Sequence, residues 1–400
     1  MSRQLAVVKP DFGARGGFER HLDALVEGLA DRGWDVTIEH VDGRTRPRYL
    51  YGVRIDDAHL ALHDEYFLHL ALVERVQQLD LAAYDAVLTT QPPTYLVDHD
   101  RTVALFYHHA RQFYDLADAF TASGFVDAEI HAAATEAIRA LETPAVSSIR
   151  HWLAGSAEVA DRLRRFWSIP AERISIHRAP PASWPSSATP YRPGGPILTV
   201  GRHEWPKRNE LVVQAAHVLG PDRPLTHFVG GGSRLEVAVS LDAELGADPT
   251  LAAHLDDAAT WRNRGIFTKG WAPFEGSPSG RVSFEGEVDD RRRDELYASA
   301  SLVVAPAYRE DYGLTVLEAM ARGRPVIVCS DGGGLTELVE DGENGLVVEP
   351  TAKALAAGIE RILDDPAAAA RMGAAGLAVV QDITIEGAVS QVAGVLAVDE

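Results

Sequence analysis

The sequence predicts an α/β protein made of two parallel-sheet domains, and three observations carry that prediction. Short apolar runs alternate with stretches whose apolar residues recur at helical spacing: Gln4–Val8 precedes Leu22, Leu25, Val26 and Leu29, and Leu302–Pro306 precedes Leu314, Leu317 and Met320. Glycine-rich or charged loops follow the apolar runs, at the strand ends where parallel sheets hold their ligands. A stretch with six prolines and little periodicity, Ala179–Pro196, divides the chain.

Composition bounds the function before any motif does. With 400 residues, 46% of them hydrophobic and 24% charged, the chain is long enough for two or three domains with large cores. A net charge of -20 disfavours nucleic acid as a partner. Residues 1–50 carry eight basic and eight acidic side chains with no polybasic cluster, which weakens a membrane-surface role. The single cysteine, Cys329, lies in an apolar run, which rules out an internal disulfide and fits a reducing compartment. No signal peptide and no run of ~18 uninterrupted apolar residues is present, so a cytoplasmic protein is expected.

Taken in order, Gln4–Val8 reads as a strand, the stretch up to Arg32-Gly33 as a helix and Asp35–Val41 as a second strand. Gly13, Gly16 and Gly17 occupy the strand-to-helix turn, where absent side chains let a ligand approach backbone amides. The turn is not G-x-G-x-x-G and no acid closes the next strand, which disfavours a dehydrogenase. Residues 49–84 read as helical packing elements, with Leu68, Leu72, Val76 and Leu79 on one face. Asp98-His99-Asp100 precedes its strand, so it reads as a turn and not as a metal-binding D-x-D. Thr102–Tyr107 is a strand that runs into His108 and His109, candidates for substrate contact or proton transfer because imidazole titrates near neutrality. Arg111 either reaches an acidic group or pairs with Asp115. Ser156 reads as a helix cap, and no G-x-S-x-G elbow occurs anywhere.

In the second half, Ile197–Val200 is a strand that ends in a loop holding Arg202 and Lys207, two cations suited to a diphosphate. Thr226–Val229 precedes three glycines, residues 230–232, while residues 241–280 stay unassigned. Arg291–Arg293 stand among acids, as at a solvated helix start. The stretch 301–350 then reads as strand, loop, helix, strand. Its loop holds Glu310, its helix starts near Gly313, Leu314 and Thr315, and Glu318 follows Glu310 after seven residues. Free N–H groups at the helix start suit a phosphate, and the two acids suit sugar and ribose hydroxyls. Two amphipathic helices are expected after Pro350, the last over residues 386–398.

EDYGLTVLEAMARGRPVI, followed by DGGGLTELVEDGENGLVVEP, resembles the retaining glycosyltransferases with a Glu, seven residues, Glu motif, the glycosyl transferases group 1. The resemblance spans nearly the whole chain and is sharpest at 13–21, 201–209 and 310–349. It departs from the usual pattern with Asp311 where Gly is usual and Tyr312 where Phe is frequent. It implies a GT-B fold, two Rossmann-like domains with parallel sheets facing a central cleft. Domain 1–180 would bind the acceptor, 181–196 would link, 197–380 would bind the nucleotide-sugar, and 381–400 would return to the first domain. It implies metal-independent, anomer-retaining transfer of a sugar from a nucleoside diphosphate to an acceptor hydroxyl, with no cofactor.

By the same resemblance Glu310 would orient the donor sugar and Glu318 would bind the ribose. Arg202, Lys207 and the amides of Gly313, Leu314 and Thr315 would hold the diphosphate, with Gly16 and Gly17 near it. Val288 lies at the turn whose backbone would contact the base. Relatives place a histidine after an aromatic-rich strand, with an Arg and a Tyr-Asp pair downstream. Here that spacing is one residue shorter, and His108, directly after the strand, is favoured over His109. Two other readings stay open: a sugar phosphorylase of the same fold, and a non-catalytic sugar- or nucleotide-binding protein.

Overall fold

The computed structural model describes residues 2–13, 16–122, 124, 126–181, 190–254 and 271–397. The chain divides into two compact units, Met1–Ala182 with Thr384–Glu400, and Ser183–Ile383. Residues 182–189, half of the 181–196 stretch, lie outside the described residues, as does the WRNRGIFTKGW segment apart from Trp271.

The first unit holds a six-stranded sheet in the order β2-β1-β5-β6-β7-β8, every neighbouring pair parallel. Its strands are β1 (Arg3–Asp11), β2 (Trp34–Asp42), β5 (Ala86–Thr89), β6 (Thr102–Phe106), β7 (His151–Ala154) and β8 (Ile174–Ile176). Both faces are covered, so the strands read as unbroken apolar runs such as 86–89 and 102–106. On one face lie α1 (Gly17–Ala30) and the chain's last helix, Ile385–Ala397. Leu22, Leu25 and Leu29 of α1 share a buried cluster with Val389, Val392 and Leu396 of that helix. On the other face the rings of Tyr95, Phe106, Trp152 and Trp167 pack in edge-on and tilted pairs with centroids 5.0–6.1 Å apart.

The region 49–84 holds the expected helical stretches and, before them, a hairpin that was not expected. Two short strands, β3 (Tyr49–Leu50) and β4 (Val53–Arg54), pair as an antiparallel hairpin before α2 (Asp57–Leu60) and α3 (Asp64–Gln77). The cause is the two-residue turn Tyr51-Gly52, in which both residues have positive φ, 48° and 78°. That is the turn whose twist matches paired strands. Ser156 caps the helix Ala157–Trp167 by accepting from the Val159 amide, as expected. Asp98–Asp100 lies outside helices and strands, and the His99 ring bonds the Tyr84 carbonyl.

The second unit repeats the plan with the order β11-β10-β9-β12-β13-β14, again all parallel. Its strands are β9 (Ile197–Val200), β10 (Thr226–Val229), β11 (Val282–Gly286), β12 (Leu302–Ala305), β13 (Val326–Cys329) and β14 (Gly345–Val348). Counted within the unit this is 3-2-1-4-5-6, so the winding direction reverses between β9 and β12. The loops after those two strands flank the crevice where such sheets bind ligands. Pro190–Pro196 packs on this unit: Ser301 Oγ donates to the Gly195 carbonyl and Arg324 to that of Pro190.

Among the described residues after Pro350 there are three helices, 352–364, 366–380 and 385–397, where two were expected. Asp365 caps the second by accepting from the Ala368 amide, and Pro366 at its first position starts a new helix. Residues 366–397 are together apolar enough for a membrane span. The structure divides them into helices of 15 and 13 residues, about 22 and 20 Å long against a hydrocarbon core of about 30 Å.

Candidate active site

The switch point of the second sheet gathers most of the sequence candidates. β9 ends at Val200, and the loop from Gly201 carries the exposed Arg202, then Lys207 and Arg208, into the helix Asn209–Leu219. This loop closes tightly on its neighbour. Gly230, at φ +129°, leaves no room for a side chain, since a Cβ there would lie 2.1 Å from the Gly201 carbonyl oxygen. The glycines after β10 therefore let two loops touch backbone to backbone.

β12 ends in the loop carrying Glu310, and Lys207 Nζ lies 2.6 Å from Glu310 Oε2. Both side chains are partly exposed, so the pair is open to solvent and to a ligand. Glu310 is fixed through its backbone. Its N–H donates to the Gly332 carbonyl and its own carbonyl accepts from the Gly334 amide. Gly333, at φ +61°, makes that possible, because a Cβ would meet the Glu310 oxygen at 2.8 Å.

Arg208 was not among the sequence candidates, and it ties the loops together. It is 2% exposed and sits in the left-handed region at φ 51°. Its guanidinium donates to the Pro306 and Ala307 carbonyls after β12 and to both carboxylate oxygens of Asp331 after β13, at 2.9 and 2.5 Å. Arg309, directly before Glu310, also has positive φ, 46°. Two non-glycine residues held in that region beside Lys207 and Glu310 mark a loop geometry fixed from outside.

The helix after Glu310 runs Leu314–Ala321 and Gly313 caps it with φ +109°. The Gly313 carbonyl accepts from Val316 and Leu317, which leaves the Leu314 and Thr315 amides as first-turn donors without a helical acceptor. Thr315 Oγ1 donates to the Val200 carbonyl and so sets this positive helix end against the end of β9. One turn on, Glu318 accepts from the Tyr297 hydroxyl. Val288 follows β11 and is half-buried. The second unit thus brings Arg202, Lys207, Glu310, Gly313, Leu314 and Thr315 to one sheet edge, with Glu318 on the helix that starts there.

The remaining candidates lie on the first unit. Gly16 precedes α1 and its amide donates to Glu19 Oε2 at 2.7 Å, so an anion there would displace a carboxylate; Gly17 is the first helical residue. The Phe18 ring meets Tyr107 edge-on at 5.6 Å, which joins the start of α1 to the end of β6. His108 is half-buried, and its Nδ1 is 2.7 Å from the His109 carbonyl. A carbonyl only accepts, so Nδ1 carries the proton and, in the neutral ring, Nε2 keeps the lone pair. His109 is fully buried among Phe106, Tyr114, Phe166 and Trp167, with ring centroids 4.5–5.3 Å away, so only His108 reaches the surface. Arg111 pairs with Asp115 at 2.7 Å, one of its two expected partners. Cys329 is buried, and burial pushes its thiol up to about 12. Among the described residues no three His, Cys, Asp or Glu side chains gather around a possible metal position.

Residues 277–378 match the family model described as glycosyl transferases group 1. That segment carries the group 1 glycosyltransferase pattern. The matched residues include Glu310, the helix start and Glu318. Among curated relatives, the D-inositol 3-phosphate glycosyltransferase of Streptomyces griseus is 30% identical over 64% of this chain and 55% of its own length. The match therefore spans about half of that relative. Glycogen synthase of Mycobacterium tuberculosis is 27% identical over 89% of this chain and 84% of its own. Among solved structures, sucrose-phosphate synthase from Thermosynechococcus elongatus superposes with a TM-score of 0.64 at 22% identity, covering 98% of each chain. Anabaena HepE in complex with UDP and glucose gives 0.61 at 15% identity over the full length of both. At such identities the likeness shows the fold, which is GT-B: two Rossmann-like α/β units.

Proposed function

We propose that this chain is a glycosyltransferase that moves a sugar from a nucleoside diphosphate donor to an acceptor hydroxyl, with retention at the anomeric carbon and without a metal. The observation that carries the proposal is the cluster at the switch point: Lys207 on Glu310 at 2.6 Å, beside the start of the helix Leu314–Ala321. A diphosphate needs cations and N–H donors, and Arg202, Lys207 and the Leu314 and Thr315 amides supply both. As the sugar departs, charge grows on the diphosphate oxygens, and fixed donors stabilise that charge more than the neutral bond it came from. Glu310 accepts hydrogen bonds from sugar hydroxyls and Glu318 from the ribose, while the Val288 backbone meets the base. On the first unit His108 presents a lone pair on Nε2 to sugar or acceptor hydroxyls, and Gly17 offers its amide; we assign the acceptor to this unit. Relatives whose names carry inositol phosphate and glycogen support a sugar or polyol acceptor.

The test is release of nucleoside diphosphate from UDP-, GDP-, ADP- and TDP-sugars across a panel of hydroxylated acceptors, with the product anomer read by proton NMR. Glycoside formation with the donor's anomeric configuration is the expected result. Production of sugar 1-phosphate from a disaccharide and inorganic phosphate would replace this reading with a phosphorylase.

A further inference from the structure

We infer that Tyr297 is a positioning residue that aims the Glu318 carboxylate at a ribose, and so sets the preference of this site for ribonucleoside over deoxyribonucleoside diphosphates. The inference rests on the donor-binding reading above and deepens it. Tyr297 lies on the helix Asp290–Ser299 and is fully buried, with its hydroxyl 2.9 Å from Glu318 Oε2. Burial first, and the Glu318 charge second, keep the phenol protonated far above its ordinary range. A carboxylate only accepts, so the bond runs from the phenol O–H to Glu318.

The donor is itself braced. The Arg322 guanidinium lies over the Tyr297 ring with its carbon 5.0 Å from the centroid. The same guanidinium donates to the Glu318 backbone carbonyl and to Asp294, one turn before Tyr297. Tyr297 and Glu318 are thus joined twice, through their side chains and through Arg322. A glutamate at a helix surface ordinarily samples several rotamers, and a charge-assisted bond from a buried, rigid phenol selects one of them. With Oε2 engaged by the phenol, Oε1 makes no hydrogen bond among the described residues and can accept from a vicinal diol. A hydroxyl-directed acceptor of this kind discriminates strongly, because removing the ligand's hydroxyl leaves a desolvated carboxylate oxygen unpaired.

The experiment is calorimetry on the full chain with UDP, GDP and ADP, each against its 2′-deoxy and 3′-deoxy counterpart, and with inorganic pyrophosphate. The parent is expected to bind at least one ribonucleotide more tightly than its deoxy form. Tyr297→Phe is expected to reduce that ratio about tenfold while leaving pyrophosphate affinity unchanged. Loss of packing alone would weaken all ligands together and keep the ratio. Glu318→Gln, which retains Tyr297 in its place, is expected to reduce the ratio as far, and the double variant to add nothing further. A parental ratio that survives in Tyr297→Phe, or in Glu318→Gln should the former not fold, overturns the inference while nucleotide binding stands. If the parent binds none of the three diphosphates, the donor-binding reading itself falls and takes the inference with it.

Discussion

Replacing Arg208 by Gln tests whether one buried guanidinium holds the switch-point loops together. The change removes donors to the Pro306 and Ala307 carbonyls and the two-pronged pair with Asp331, all from a residue 2% exposed. Breaking a buried pair from one side costs about 3–5 kcal/mol when the orphaned charge stays dry. The Asp331 side chain is 33% exposed, so water recovers part of that cost. A loss of about 2–3 kcal/mol is expected. Gln would keep the same positive φ, so no relief of strain offsets it. Urea unfolding followed by circular dichroism should shift its midpoint down by about 1 M at an ordinary slope. Turnover should fall further than donor affinity, because Lys207 and Glu310 flank the released loops. A stability change below about 0.5 kcal/mol, the range of inert surface substitutions, would refute the reasoning.

Four further outcomes are expected. Gly28→Ala on α1 would put a Cβ 2.5 Å from a Val389 methyl on the helix Ile385–Ala397; it should destabilise by about 1–2 kcal/mol despite the better helix propensity of Ala, and Val389→Ala should restore most of the loss, as read from a double-mutant cycle of urea midpoints. Burial, and then the neighbouring His177, hold His21 down to about 3, while burial holds His177 and His63 at about 4. Below pH 6.5 the unfolded chain therefore binds more protons, so stability is full above that value and is lost toward pH 4. The slope is about 1.4 kcal/mol per pH unit per imidazole, and urea midpoints that stay constant from pH 7 to 5 would contradict it. Finally, Glu310→Gln keeps the loop, which is held by backbone bonds, and should cut turnover by about a hundredfold or more with donor affinity changed little. Lys207→Met should weaken both. Steady-state kinetics beside diphosphate binding separate the two patterns.

The sequence made legible whatever is written in one local pattern. Buried strands appear as unbroken apolar runs, Ser156 as a cap, and the Glu310 loop with its helix as one continuous stretch. What it hid is long-range or conformational. Arg208 reads as one more surface cation after Lys207, because its partner Asp331 lies 123 positions away and its burial follows from a backbone angle that no neighbouring residue announces. Tyr297 reads as one more large residue in a charged helix; its bond to Glu318 exists only once two helices lie side by side. The Tyr51-Gly52 hairpin was missed because the apolar residues after it suited helical spacing. The two histidines could not be separated by spacing alone, since their difference is the side of the backbone on which the aromatic cluster closes.

The packing of residues 385–397 against α1 has a consequence for biosynthesis. A ribosome delivers the whole second unit before it delivers the segment that covers Leu22, Leu25 and Leu29. The earlier-made half must wait with that oily flank uncovered while some two hundred further residues are polymerised, roughly 10–40 s at ordinary elongation speeds. During that interval the nascent chain is a natural client for chaperones, and losing residues 385–397 would leave its defect some 360 positions earlier, on α1.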